Sequence, residues 1–163
     1  MKKVLPFAGL IAFVLALVAF ILMLATNGVV VTSGSVQLNY AGTTVLFGQK
    51  GTFGDLKGSV LALIGFILLI LGLLAALVGA VGSLLKVKAL ERFVGALNLV
   101  AAVCFLLAGI FMFLALPTFY SANGSDVPNN ASLGAGWIIG GILSILAAIA
   151  AALPAAMGLL GKK

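Results

Sequence analysis

Four long runs of the sequence contain no charged residue, and no other feature constrains the fold so strongly. The runs span residues 5–26, 58–85, 93–116 and 133–160. As a helix rising about 1.5 Å per residue, even the first and shortest run would reach about 33 Å, which exceeds the roughly 30 Å hydrocarbon core of a bilayer. We therefore predict an all-α integral membrane protein in which residues 1–163 form a single four-helix bundle.

The composition excludes an ordinary soluble domain and a nucleic-acid-binding surface. Hydrophobic residues make up 64% of the chain and charged residues only 7%, whereas about a quarter of the residues of a soluble domain are charged. The net charge is +6, and the basic residues that produce it lie in short segments before, between and after the apolar runs rather than on one face. Cys104, the one cysteine, lies within the third run, so no intramolecular disulfide can form and a buried apolar role is favoured over a reactive thiol.

The first run begins like a secretory signal peptide but is too long to be one. Lys2 and Lys3 precede it, yet the apolar core of a signal peptide has only about 7–15 residues. Residues 23–27 offer a poor cleavage site, and Pro6 suits the first turn of a retained helix. We therefore expect the first run to remain as a membrane span.

The basic residues predict the orientation of the chain. Lys50 and Lys57 lie on one side, where Asp55 and Asp126 balance them. Basic residues concentrate on the cytoplasmic side of membrane proteins, so we predict a multi-pass protein of the cell membrane with both termini in the cytoplasm, where the cations also contact anionic lipid headgroups. The other seven of the nine cations are on that side: Lys2, Lys3, Lys86, Lys88, Arg92, Lys162 and Lys163.

The first outer segment, residues 27–57, has the pattern of a strand meander. Strands are predicted at 29–32, 35–40 and 43–47, separated by the short Gly-containing turns 33–34 and 41–42. Val36, Leu38 and Tyr40 alternate with polar residues, so the predicted three-stranded antiparallel sheet has an apolar face. A sheet this small is marginal alone, so this face must rest on the helix ends or on a partner. Residues 48–57 are expected to form a flexible return.

The second outer segment, residues 117–132, is predicted to be a loop without a core of its own, because Pro117, Gly124 and Pro128 interrupt it. Asn123 and Asn130 each begin an N-x-Ser sequence. Both would lie on the correct side for glycosylation in a secretory pathway. Asn, Gly and Ser are also ordinary turn residues, so a purely structural role stays open.

Small residues recur at regular spacings within the runs, and close backbone approach is what drives helix association in a membrane. The seven-residue spacing in the second and third runs suggests that their small faces meet in a tight hairpin, since seven residues turn a helix by nearly two full turns. The four-residue spacing in the fourth run winds around the helix and suits two neighbours. The positions are Gly58, Gly65, Gly72 and Gly79 in the second run, Gly95, Ala102 and Gly109 in the third, and Gly136, Gly140 and Ser144 at the start of the series in the fourth.

Large residues dominate the first run, which we expect to face lipid or a partner. Phe119, Tyr120 and Trp137 lie near the outer ends of the third and fourth runs and suit an interfacial aromatic belt.

Residues that carry chemistry are scarce. There is no histidine, and the three acidic residues fall in three different segments, so we expect no catalytic site, no metal site and no cofactor. Asn98, whose amide lies within the third run, is the one residue of the runs that we single out for its chemistry. It is expected to form a hydrogen bond between helices, and the alternative is a role in lining a pore or binding a ligand.

The arrangement resembles the claudin and peripheral-myelin-protein-22 type of tetraspan protein. The shared features are four spans, cytoplasmic termini, a longer strand-like first outer segment and a short second one. The family's Trp, Gly-Leu-Trp and paired-cysteine signature is absent from residues 28–57, so the resemblance is one of topology and transfers no site residue. It implies lateral assembly in the membrane, with a small outer sheet making contacts.

These observations favour a noncatalytic membrane protein that acts as a structural, adhesive or accessory subunit. It would assemble with itself or with other membrane proteins through the small-residue helix faces and the outer sheet. The alternative is a small channel or transport component for uncharged or lipidic solutes, with Asn98 near its path. An enzyme would need a partner to supply the reactive groups.

Overall fold

The computed structural model describes residues 5–52, 54–86 and 93–160, and it confirms a four-helix membrane bundle with a small antiparallel sheet. Four of its helices are long and apolar enough to cross a membrane. In chain order the elements are α1 (Leu5–Ala25), β1 (Asn27–Ser33), β2 (Val36–Ala41), α2 (Gly42–Phe47), α3 (Val60–Leu84), α4 (Val94–Phe113), α5 (Ala115–Ala122), β3 (Ala131–Leu133) and α6 (Ala135–Leu160).

The four long helices form a closed ring. α1 packs against α3 and α6, and α4 packs against the same two helices. The sheet lies at one end of this ring, because β1 follows α1 and β3 precedes α6. We call this the outer end, and the opposite end, where α1 and α4 begin and α3 and α6 end, the inner end. Most of the basic residues used for the orientation, and residues 87–92 between α3 and α4, lie outside the described residues.

Alanine is the commonest buried residue in the bundle, whereas many large apolar side chains lie on its exterior. Ala16 and Ala76 are fully buried, whereas Leu71, Ile149 and Leu153 are at least half exposed. On a soluble protein such a surface would be a large unprotected apolar patch. It suits hydrocarbon, in which helices associate through close packing of small residues. The protein is therefore a multi-pass membrane protein.

The third apolar run is interrupted, which corrects the prediction of one helix over 93–116. α4 ends at Phe113, and α5 starts at Ala115 after the single residue Leu114. Pro117 explains the interruption, because it has no N–H to donate to the carbonyl of Phe113 and its ring crowds that carbonyl. Proline is tolerated in the first turn of a helix, which is where α5 places it.

The sheet has the order β2-β1-β3, and both of its pairings are antiparallel. The prediction that residues 43–47 form the third strand is wrong, because they belong to α2. Gly42, Thr44, Val45 and Leu46 are buried, while Thr43 and Phe47, four residues apart, are exposed. Three consecutive buried residues do not show the alternation of a strand that faces one layer.

The third strand comes instead from the end of the second outer segment, which the sequence predicts to be a loop without a core of its own, and from Leu133 after it. β3 pairs Val29 of β1 with Leu133. Asn130 fixes the start of β3, because its carbonyl accepts a hydrogen bond from the N–H of Thr32 and its Nδ2 donates to the carbonyl of Thr32 at 2.8 Å. The segment after α2 is also more ordered than predicted, since Gln49 and Leu56 exchange two backbone hydrogen bonds.

Candidate functional site

The glycines of α3 face α4, but the residues opposite them are not the predicted ones. A methyl group added at Gly72 would lie 2.6 Å from Cε1 of Phe105. One added at Gly65 would lie 2.9 Å from Cβ of Phe111, and one at Gly79 would lie 3.3 Å from Nδ2 of Asn98. The seam therefore holds large side chains of α4 against glycine, and this close fit joins the two helices of the hairpin.

The prediction that the small residues of α4 meet those of α3 is wrong. A methyl group at Gly109 would lie 2.9 Å from the carbonyl oxygen of Gly141 in α6, and Ala102 borders a shallow groove with Ala148 of α6. Gly95 is half-buried near the start of α4. On one helix, residues 102 and 109 share a face, and here that face is turned to α6 because Phe105 and Asn98 occupy the side toward α3.

Gly58 does not belong to the helical seam. It precedes α3, where a side chain would collide with the carbonyl of Leu46 and the N–H of Gly48. Helix α3 begins two residues later because the hydroxyl of Ser59 accepts a hydrogen bond from the N–H of Ala62 at 3.1 Å, which is an N-cap.

The small residues of α6 contact two neighbours, as their winding spacing predicts. Gly136 packs directly against the side chain of Thr26 at the end of α1. Gly140 lies between α4 and α1, where a methyl group would meet Cε of Met112 at 2.7 Å and the carbonyl of Ala19 at 3.5 Å. Ser144 donates a hydrogen bond to the carbonyl of Phe105 at 2.8 Å. The predicted small-residue faces are thus covered within one chain.

Helix α1 is the most exposed of the four long helices. Only 28% of its apolar window is buried, against 44% for α4 and for α6. Its small residues Ala12, Ala16 and Ala19 face the bundle and are fully buried, while Phe7, Ile11 and Ile21 are more than half exposed. Met23 is fully buried, and Phe13, Leu15, Phe20 and Leu24 pack against the core, so the large residues of this helix lie on both sides. The outward side agrees with the expectation that much of α1 faces lipid or a partner.

The aromatic residues near the outer end form a core rather than a membrane-interface belt. Trp137 is fully buried and donates its Nε1–H to the carbonyl of Met23 at 3.1 Å. Phe119 is also buried and packs against Tyr40 of β2, with ring centroids 5.4 Å apart. The belt prediction is wrong for these residues because the sheet covers the end of the bundle and the rings fill the space beneath it.

Tyr120 lies at the edge of this aromatic core and contacts Phe119 edge to face. Burial raises the pKa of its phenol, and the neighbouring Tyr40 adds to the increase. Tyr120 therefore stays neutral at physiological pH, and it supplies neither a base nor a nucleophile.

Asn123, the first predicted glycosylation acceptor, uses its whole amide in hydrogen bonds. Its Oδ1 accepts from the N–H of Lys57 at 2.8 Å, and its Nδ2 donates to the carbonyls of Lys57 and Phe119. The side chain thereby ties the approach to α3 to the end of α5. Glycosylation of Asn123 and Asn130 stays a prediction.

Strand β2 extends beyond the bundle and carries the most conspicuous apolar surface outside the membrane spans. Val29 of β1 lies opposite Tyr40, and both face the aromatic core. Leu38 and Val36 follow on the same face of β2, but they are 58% and 60% exposed. The apolar face predicted from the sequence is therefore covered at one end and open at the other.

Asn98 lies near the inner end of α4 and is only 2% exposed. Its Nδ2 donates to the carbonyl of Val94 at 2.9 Å, which is a bond within its own helix rather than between helices. Its Oδ1 accepts no hydrogen bond from any residue that the structure describes. The amide is therefore buried among helices without the interhelical bond that the sequence analysis expected.

The described part of the chain holds no group of three or more His, Cys, Asp or Glu side chains that could bind a metal ion. The sequence matches no protein-family model, and comparison with curated proteins gives no match. Neither comparison identifies a claudin-like family.

Proposed function

We propose that this chain is a noncatalytic structural or adhesive protein of the cell membrane that assembles side by side with other copies of itself. Both termini would lie in the cytoplasm and the sheet outside, because seven of the nine basic residues fall at the inner end or on the termini. The small-residue faces are used within one chain, so assembly would depend on the outer sheet and on the outward side of α1.

The observation that carries this proposal is the open edge of β2. The strand lies at the margin of the sheet, and Val36 and Leu38 project from it beyond the bundle. Residues 27–41 contain no charged residue and no proline. Proteins that remain monomeric usually protect a sheet edge with charge, proline or a covering element, because an open edge pairs readily with another strand.

A second copy is the occupant that fits this edge best. The bilayer holds two copies upright, so they can be related by a twofold axis along the membrane normal. The buried face of the sheet rests on the end of the bundle, so a twofold axis along the membrane normal is roughly perpendicular to the plane of the sheet. Such an axis brings the β2 strands of the two copies together antiparallel. The result would be one continuous sheet over both bundles, in which Val36 and Leu38 of each copy are covered.

The alternative function, a channel or transporter for uncharged or lipidic solutes, has weaker support. The cavity beside Asn98 has a volume of about 20 Å³, which is room for one water molecule rather than for a solute of several heavy atoms. We therefore keep assembly as the proposed function.

Assembly can be tested by measuring the mass of the protein in mild detergent and in nanodiscs. We expect a dimer or larger assembly for the native chain and a shift to monomer when Val36→Lys and Leu38→Lys are combined, because two charges on an open edge oppose pairing. Ser125→Lys is the matched control, since Ser125 is exposed on the second outer segment, and it should leave the mass unchanged.

Disulfide trapping in native membranes gives an independent measurement. In a Cys104→Ala background, Leu38→Cys should form a covalent dimer of the chain, and Ser125→Cys should not. A strictly monomeric native protein with no covalent dimer at position 38 would refute self-assembly. Quenching of a probe at position 38 by lipid-attached nitroxide, without a dimer, would show instead that the face lies on the bilayer.

A further inference from the structure

The amide of Asn98 is held in one orientation, which leaves its oxygen without a donor among the described residues. Nδ2 donates to the carbonyl of Val94 at 2.9 Å. Exchanging the two amide atoms would place Oδ1 against that carbonyl, and two acceptors repel each other. Oδ1 must therefore be the atom that points away from α4 into the bundle.

The Asn98 side chain points into a space that exists because two neighbouring helices carry glycine there. A side chain at Gly79 of α3 would lie 3.3 Å from Nδ2, and one at Gly9 of α1 would lie 3.5 Å from Oδ1. Pro154 of α6 completes the surroundings, and it is a residue that removes one backbone hydrogen bond from its own helix. All four long helices thus meet around this amide.

A small cavity lies at this meeting point. Its volume is about 20 Å³, and Asn98, Gly9, Gly79, Ser83 and Pro154 are among the residues that line it. A cavity needs about 10–15 Å³ of space for a probe of water size before it can hold one water molecule, and the water needs at least two polar partners. Asn98 supplies an unpaired acceptor, and Ser83 supplies a hydroxyl on the neighbouring helix.

A neutral ligand suits the cavity better than an ion. None of the described residues that line it is acidic or basic, so a cation or an anion would have no counter-charge among them in an apolar bundle. A water molecule can donate to Oδ1 and form its second hydrogen bond with a hydroxyl, and a group of this size is all that the volume admits.

We propose that this cavity is a binding site for one water molecule, which donates a hydrogen bond to Oδ1 of Asn98 and bonds the hydroxyl of Ser83. The water joins α4 to α3 at the inner end of the bundle, where the protein itself provides no bond between the two side chains. The proposal is independent of self-assembly, because Asn98 is buried within a single chain.

Water-edited solid-state NMR of the isotopically labelled protein in lipid bilayers tests this site. Magnetisation should pass from water to Cγ of Asn98, while the methyl groups of Leu69, which are also fully buried in the bundle, should receive almost none. Absence of transfer to Asn98 in the native protein would overturn the proposal, as would a density map with a protein side chain in the cavity.

Two variants distinguish one bound water molecule from general penetration of solvent into the bundle. Gly9→Ala places a methyl group at ordinary contact distance from Oδ1, so it should fit and abolish the transfer to Asn98. The fluorescence of Trp137, the one tryptophan, reports at the opposite end that the fold is retained. Ser83→Ala removes the second partner without adding bulk and should also reduce the transfer. Transfer that survives Ser83→Ala unchanged would contradict the bridging role.

Discussion

The two ends of the bundle differ in whether their polar side chains are fully hydrogen-bonded. At the outer end Trp137 donates to Met23, and Asn123 uses every donor and acceptor of its amide. At the inner end Asn98 is buried like Trp137, but its Oδ1 has no donor among the described residues. An unsatisfied buried acceptor costs about 1–3 kcal/mol. The described residues therefore satisfy these polar groups at the outer end, whereas at the inner end they leave Oδ1 of Asn98 without a partner.

The ends also differ in what covers them. Three strands and two short helices lie over the outer end, and their side chains form an aromatic core. A hydrogen bond of 2.6 Å between the hydroxyls of Ser59 and Thr118 adds a link between the start of α3 and α5. With Ser59 as the donor in this link, Thr118 keeps its one hydroxyl hydrogen for the carbonyl of Leu114, so both hydrogen bonds can form.

The largest expected effect is that of removing Trp137 from the outer end. Trp137→Ala should lower the free energy of unfolding by about 3–5 kcal/mol, because it empties a large buried volume and leaves the carbonyl of Met23 unpaired. Unfolding in lipid–detergent mixtures, followed by circular dichroism, measures this loss. Trp137→Phe retains much of the volume and should cost less, so the difference between the two variants isolates the packing contribution.

Ile138→Ala is the matched control for Trp137→Ala. Ile138 is the next residue of α6 but faces outward, and lipid replaces its lost contacts. An equal loss from both substitutions would show that Trp137 is not the centre of the outer core, and the contrast between the two ends would fail.

A smaller effect is expected at Asn123. Asn123→Asp replaces two donors by acceptors that face the carbonyls of Lys57 and Phe119, so the free energy of unfolding should fall by about 1–3 kcal/mol. Unfolding followed by Trp137 fluorescence, in protein made by a host that does not glycosylate, measures this loss. Asn130→Asp is the control, because Asn130 is exposed and its amide makes one such bond. A loss at Asn130 as large as that at Asn123 would contradict this account.

The smallest effect is expected between the two ends, at the glycine seam of α3. Gly72→Ala places a methyl group 2.6 Å from Phe105, which is fully buried and cannot move aside. Overpacking costs about 1–3 kcal/mol, and a gain in helix propensity of about 1 kcal/mol offsets part of it. The net loss of unfolding free energy should therefore lie at or below about 2 kcal/mol when followed by Trp137 fluorescence.

Gly141→Ala is the comparison for Gly72→Ala. Its methyl group would meet the ring of Phe113 at 2.9 Å, but Phe113 is partly exposed at the surface of the bundle and can turn away. The substitution should be neutral or stabilising. If Gly141→Ala destabilised the protein as much as Gly72→Ala does, the close fit at Phe105 would have no special role.

Much of the architecture could be predicted because each part has a local cause. The four spans follow from runs without charge, and the open face of β2 follows from the alternation of Val36, Leu38 and Tyr40. The burial of Asn98 follows from its position within a run. The missing hydrogen bond of its Oδ1 could not be predicted, since it depends on which residues the other three helices bring near it.

The predictions that were wrong share a different cause. Residues 43–47 contain β-branched side chains and were predicted as a strand, but Gly42 packs on the end of α1 and the chain continues as a helix there. Trp137 lies at the depth of an aromatic belt, but the sheet covers it. In both cases a distant part of the chain overrides the local preference.

The amino-acid sequence alone determined that the chain crosses a bilayer as helices, because uncharged runs of this length partition into hydrocarbon and a backbone in hydrocarbon must satisfy its own hydrogen bonds. Only the tertiary structure decided which helix faces which and which segment completes the sheet. Glycine and alanine can pack closely against almost any neighbouring residue. The contacts of Gly72, Gly109 and Gly140 therefore depend on the packing of the whole bundle and not on these residues themselves.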